Sequence, residues 1–187
     1  MRNLLIVAAV LFFIVNSGLL GGKEDKPIES PPAAPGKSQT DARPVKENVI
    51  AYHTGDQSMN SAKKKARETL PRFLELVKAG TAGTYTLKFP LTQNGETEHI
   101  WMQLTDYRDG AFIGLLANDP VNGTKYRMGD VMKVASADVE DWMVNTGELM
   151  YGGYSVRAML KDMPKEEADK YRPMFRDWRG FPFSARG

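Results

Sequence analysis

Cysteine is absent from the 187-residue chain. Its absence excludes disulfides, thiol catalysis, thiolate zinc sites and a bacterial lipid-attachment cysteine. Imidazole is nearly absent as well, with His53 and His99 its two sources. A multi-histidine metal cage is thereby excluded. A surplus of one charge is also missing. From Glu47 onward, 19 basic and 19 acidic side chains balance, and the overall +2 comes from the residues before it. A nucleic-acid binder needs a Lys or Arg for each phosphate it contacts, so nucleic acid is a poor partner for this domain. No phosphate loop stands in the sequence: Gly152-Gly153 lacks the Lys-Ser/Thr ending. No cofactor is expected. Wholesale disorder is excluded too, because 42% of the residues are hydrophobic, enough for a packed core.

The chain opens on Arg2 and an apolar run of 12 residues, Leu4 to Val15. That length suits a signal-peptide core and is short for a bilayer span. Small residues follow at Ser17, Gly18, Gly21 and Gly22, though none makes a clean Ala-x-Ala cleavage site. Read through to Gly22, the stretch reaches 19 residues and suits an uncleaved anchor. Either way residues 1–22 predict export, so the expected location is the periplasm, free or anchored to the inner membrane. Residues 23–46 hold Pro27, Pro31, Pro32, Pro35 and Pro44 with no apolar periodicity. They read as a disordered, semi-stiff tether.

Residues 47–187 read as one domain. Met59, Ala62, Ala66, Leu70, Phe73, Leu74 and Val77 recur at helical spacing, so Asp56 to Ala79 predicts an amphipathic helix. Asp56 or Ser58 is placed to cap its start and Gly80 to end it. Pro71 lies inside and predicts a kink or a split. The Lys63-Lys64-Lys65-Ala66-Arg67 run reads as its solvated face.

After Gly83 the period becomes two. Tyr85, Leu87, Phe89 and Leu91 alternate with Thr84, Thr86 and Lys88, which reads as a half-buried strand. Asn94-Gly95 and Asp109-Gly110 are hairpin signals around strands at Thr97–Tyr107 and Ala111–Ala117. Val131–Ala135 reads as a fourth strand. Asp138–Val144 and Met150–Leu160 read as two more extended pieces. Pro164–Tyr171 predicts a short helix, with Asp162 placed to cap it. The order predicts an α+β fold. An N-terminal amphipathic helix packs on a curved antiparallel sheet of about five strands, with a short C-terminal helix. Alternating βαβ units, and so a parallel nucleotide-binding sheet, are missing.

Within residues 56–160 several stretches resemble one bacterial family. They are Met-Asn-Ser-Ala at 59–62, Thr-Leu-Pro-Arg-Phe-Leu at 69–74, Glu-His-Ile-Trp at 98–101 and Gly-Leu-Leu-Ala-Asn-Asp-Pro at 114–120. Met-Gly-Asp at 128–130, Asp-Trp-Met at 141–143 and Gly-Gly-Tyr-Ser-Val-Arg at 152–157 complete the set. Together they resemble the family of unknown function typified by YegJ, DUF2314-like. The resemblance implies a small bacterial module without an established activity.

Candidate residues fall into two groups. On the second strand, strict alternation puts His99, Trp101, Gln103 and Tyr107 on one face, away from Ile100, Met102 and Leu104. An exposed face of that kind would suit a protein or envelope ligand. If Trp101 faces the core instead, it is packing. In the tail, Phe175, Trp178, Phe181 and Phe183 interleave with Arg172, Arg176, Arg179 and Arg186. Trp178 would dock in a partner groove or at a bilayer, unless the tail folds back on its own domain. Asp138, Glu140 and Asp141 form an acidic cluster without cation-loop spacing, read as a solvated loop. The expected function is an exported, non-catalytic binding module of the cell envelope. The alternative is an envelope hydrolase using His99 with a carboxylate such as Asp130 or Asp141.

Overall fold

The computed structural model describes residues 4–7, 50–53 and 56–181. The expected leader boundary and the tether lie outside them. Two short backbone segments, Leu4–Val7 (β1) and Ile50–His53 (β2), pair antiparallel with each other. Gln57–Ala79 then forms one helix, α1. Asp56 caps it, accepting the Met59 N–H at 3.0 Å, and Gly80 ends it in the left-handed region at φ 60°. Pro71 neither splits nor ends it. Its missing N–H costs one rung of the ladder. Just upstream, the Ala66 carbonyl accepts from the Trp142 indole at 3.1 Å and the Thr69 hydroxyl at 3.2 Å.

The sheet follows. Its strands are Thr84–Gln93 (β3), Glu96–Arg108 (β4), Ala111–Leu116 (β5), Val131–Ala135 (β6), Asp141–Asn145 (β7), Met150–Gly152 (β8) and Phe175–Arg176 (β9). They lie in the order β6-β5-β4-β3-β7-β8-β9. All these pairs are antiparallel except β8 with β9. β1 adds in parallel beside Glu98 and His99 of β4. The architecture is α+β with a mostly antiparallel sheet, as the hairpin signals predict. The strands outnumber the five expected, because β8 and β9 are too short to show a period.

Two further helices, Tyr154–Met159 (α2) and Lys165–Tyr171 (α3), stand where the sequence suggests an extended piece and a short helix. The extended reading of Met150–Leu160 fails after Gly152. Gly152 and Gly153 take φ of 77° and 60°, a region side chains resist, and turn the chain into α2. Asp162 does not cap α3. The cap position is Pro164, without a side-chain hydrogen bond.

Directly opposed residues in an antiparallel pair share a face, which sorts the sheet. On one face Leu87, Phe89, Ile100, Met102, Phe112 and Trp142 pack with Phe73 and Leu76 of α1 into the main core. The opposite face is covered on one side only. There Trp101, Met143 and Met150 pack against Val156 of α2 and against Tyr171, Met174 and Phe175. Its β5–β6 half stays open: Leu115 and Val131 are paired and both exposed.

Candidate functional site

The polar groups of interest lie across β7, β3 and β4. Lys88 is paired with Asp141 on one side and Trp101 on the other. All three side chains therefore point to the sheet face away from α1. The row is buried, with Lys88 3%, Asp141 0% and Trp101 2% exposed. Half-burial of β3, expected from its Thr and Lys positions, is corrected here. Thr86 and Lys88 are both buried because α2 and the C-terminal segment cover this side.

Asp141 is held by four donors. Its Oδ1 accepts the Trp142 N–H at 2.8 Å and the Tyr154 N–H at 3.2 Å. Its Oδ2 accepts the Ser155 N–H at 2.7 Å and the Ser155 hydroxyl at 2.6 Å. It therefore pins the start of α2 to the sheet. Burial raises its pKa above the usual carboxyl value, against the pull of these bonds and of Lys88. Burial likewise lowers the Lys88 amine from 10.5 to about 8, although Asp141 and Glu140 attract its charged form.

Glu140 makes the contacts that matter for acid–base chemistry. One oxygen bonds Nδ1 of His99, and the other pairs with Lys63 of α1. Burial works to raise the Glu140 pKa, but His99 and Lys63 outweigh it and leave it below 4.5. His99 thus meets a carboxylate, though neither Asp130 nor Asp141. Asp130 Oδ2 accepts the Arg127 N–H at 2.8 Å in a turn, and Asp141 is committed to α2. The solvated-loop reading of the acidic cluster is also corrected. Glu140 and Asp141 are buried at 7% and 0%, and Asp138 alone of the three stays outside the core. Among the described residues no group of three or more His, Asp and Glu side chains is arranged to hold a metal.

The remaining candidates separate. Trp101 is core packing on the covered face, and Gln103 is half-buried beside Leu115. Tyr107 leaves the His99–Trp101 face altogether. A bulge between Leu104 and Asp106 shifts the register by one residue, which turns every later side chain over. Tyr107 therefore stacks on Phe112 at 4.7 Å, in the main core. Gly114 sits against the bulge, where a Cβ would lie 2.2 Å from the Gln103 carbonyl oxygen. Trp178 is half-buried on the main core, with Arg72 at 5.8 Å and Arg179 at 5.1 Å from its ring. Phe181 is buried edge-on to Tyr151 at 4.6 Å. Up to Phe181 the tail folds back on its own domain. Phe183 and Arg186 lie outside the described residues.

Two features carried no signal in the sequence. Lys88 marks a solvated face in any alternation pattern. Glu98 points oppositely to His99, fully buried, and its Oε2 accepts the Val121 and Asn122 N–H groups at 2.7 and 3.2 Å. It therefore anchors the loop that leads into β6. Burial raises its pKa against those two bonds.

One long helix on a mostly antiparallel sheet, two short helices after it and a buried Asp–Lys–Trp row define an α+β domain. The chain belongs to the family described as "Uncharacterized protein conserved in bacteria (DUF2314)", whose model matches residues 56–178. It is 37% identical over 128 residues to the Escherichia coli protein described as "Uncharacterized protein YegJ", covering 68% of this chain and 84% of that one. It is also 31% identical over 137 residues to a putative ankyrin repeat protein of Neisseria meningitidis serogroup B. That match covers 67% of this chain and 54% of the relative, about half its length. No solved structure matches.

Proposed function

We propose that the chain is an exported, non-catalytic binding module of the bacterial cell envelope, which docks an apolar segment of another polypeptide. One observation carries this reading. The exposed large hydrophobics among the described residues are Leu115, Val121, Met128 and Val131, all from one stretch of chain. Leu115 and Val131 are cross-strand partners. Met128 is tied to the same end by the Gly129 N–H to the Leu116 carbonyl at 2.8 Å. Exposed apolar groups that sit together, as Leu115 and Val131 do, mark contact surfaces. The interface thus shifts from the expected Trp101 row to the open β5–β6 half of that face, with Gln103 at its border.

Exposed Lys125, Arg127 and Lys133 stand near Asp119 and Asp130, which are exposed too and accept the Met128 and Arg127 N–H groups, so the rim carries both signs of charge. The meningococcal relative is described as a putative ankyrin repeat protein, and such arrays present extended binding surfaces. Export rests on the apolar leader, and the Pro-rich segment would give the module reach from the membrane.

The test is a photo-cross-linking residue at Val131 in growing cells, with one at Lys64 as control. A partner captured from Val131 alone is then purified. Its affinity for Val131→Asp and Leu115→Asp should fall at least about tenfold, with the melting temperature unchanged. Equal capture from both positions, or affinity untouched by the substitutions, rejects the surface.

The His99–Glu140 contact favours a second reading, an envelope hydrolase. Turnover of a purified envelope polymer that is lost in both His99→Gln and Glu140→Gln would establish it.

A further inference from the structure

Buried polar groups almost always find partners, so two adjacent ones without any call for an explanation. Trp101 Nε1 is buried and has no hydrogen-bond partner among the described residues. Lys88, its direct neighbour across β3 and β4, shows no hydrogen bond or ion pair among the described residues and meets Asp141 and Glu140 through charge attraction at longer range. Both are donors, both are more than nine-tenths buried, and both lie on the face away from α1. Direct cross-strand partners have Cβ atoms about 5 Å apart, so the two side chains leave the sheet side by side on that face.

The acceptors around them are taken. Each Asp141 oxygen already receives two hydrogen bonds. Each Glu140 oxygen is engaged, one by His99 and one by Lys63. What this place lacks is an acceptor.

We propose that Lys88 and Trp101 form a subsite for the carboxylate of a small ligand, one oxygen on the ammonium and the other on the indole N–H. A carboxylate fits better than a phosphate. Its single charge matches the Lys88 ammonium, while the neighbouring Asp141 and Glu140 would repel a dianion. Lys63, its side chain 36% exposed, and His99, 12% exposed, flank Glu140, and past them the rest of a ligand would reach solvent. The subsite is distinct from the open apolar face and does not depend on it.

The pH behaviour is constrained by the groups facing Lys88: Asp141 from β7, Glu140 ahead of it, and Lys63 from α1. The ammonium must keep its proton to bind. Carboxylate affinity should therefore hold below pH 8 and fall at least about tenfold by pH 9.5.

The experiment uses the full chain with 15N-labelled tryptophan, titrated with sodium acetate and sodium formate against chloride at constant ionic strength. The Trp101 indole resonance should move saturably. The Trp142 indole, bonded to Ala66 at 3.1 Å, is the internal control and should stay put. Lys88→Met should weaken the response at least about tenfold. In Trp101→Phe the reporter is gone, so acetate protection of Lys88 from amine acylation is read by mass spectrometry and should weaken likewise. A Trp101 resonance no more sensitive to acetate than to chloride, or equally sensitive in Lys88→Met, overturns the proposal. The two donors would then be bridged by water only.

Discussion

Lys88→Met removes a buried charge while keeping the length of its apolar stem, and its effect can be worked out beforehand. In the folded protein the amine sits at about 8 rather than 10.5, with burial as the leading cause. At about 1.4 kcal/mol per pH unit, that gap corresponds to about 3 kcal/mol. Between pH 8 and 10.5 the folded state has released a proton that the unfolded state still holds. The unfolded state binds more protons, so the free energy of unfolding rises with pH across this window. Below pH 8 both states are protonated and the full cost of burying the ammonium is present.

Methionine carries no such cost. At pH 7 the variant should be as stable as the wild type or up to about 2 kcal/mol more stable, because Asp141 keeps its four hydrogen bonds but loses a favourable neighbour. Urea unfolding followed by tryptophan fluorescence at pH 6.5 to 10.5 gives both curves. Tyrosines and other lysines titrate in both proteins, so the wild-type-minus-variant difference isolates Lys88. That difference should rise by about 3 kcal/mol from pH 7 to 10.5. A flat difference curve refutes the burial argument. A variant more than about 3 kcal/mol less stable at pH 7 refutes it too, since it would mean that the ammonium is held by a strong ion pair.

Four other outcomes follow from the same geometry. Gly114→Ala should cost about 3 kcal/mol, read as a fall in melting temperature, because the new Cβ would lie 2.2 Å from a backbone oxygen and the strands must part. Phe181→Ala should cost about 3 kcal/mol and open residues 172–181 to limited proteolysis, since it removes a buried ring from beside Tyr151. Glu140→Gln should cost about 2 kcal/mol at pH 7 through two weakened charged contacts. Glu140 is held below 4.5, so its stabilisation is present above pH 4.5 and is lost as pH falls through its lowered value; acid unfolding of the variant should lack that loss. Glu98→Gln should be near neutral at pH 7, as the amide oxygen can still accept from Val121 and Asn122, whereas Glu98→Ala should speed amide exchange at both.

What the sequence shows of the fold is whatever repeats over many residues. The 3.6-residue period of α1 spans 23 positions and is legible despite Pro71. The long β3–β4 hairpin announces itself by Asn94-Gly95. The short elements are not legible, because two or three residues in β8 and β9 have no period. The β4 bulge is invisible for a different reason. One extra residue at Thr105 leaves the hydrophobic pattern plausible on either side, and only the pairing partners reveal the shift. That single residue moves Tyr107 from one face of the sheet to the other.

The site is harder to read than the fold, and Lys88 shows why. Alternation assigns each polar strand residue to solvent, which assumes that only one face of the sheet is covered. Here the covering of the second face comes from Val156, Tyr171, Met174 and Phe175, at least 68 residues further along the chain. Nothing near Lys88 in sequence announces that cover. The cover in turn depends on Asp141, whose carboxylate fixes the start of α2 and so aims the segment that closes over Lys88. The buried lysine and the buried aspartate are thus two parts of one arrangement, and neither is intelligible alone. Where the C-terminal cover ends, at β5 and β6, the same face turns apolar and open. The chain that buries the charged row therefore also decides where the exposed surface begins.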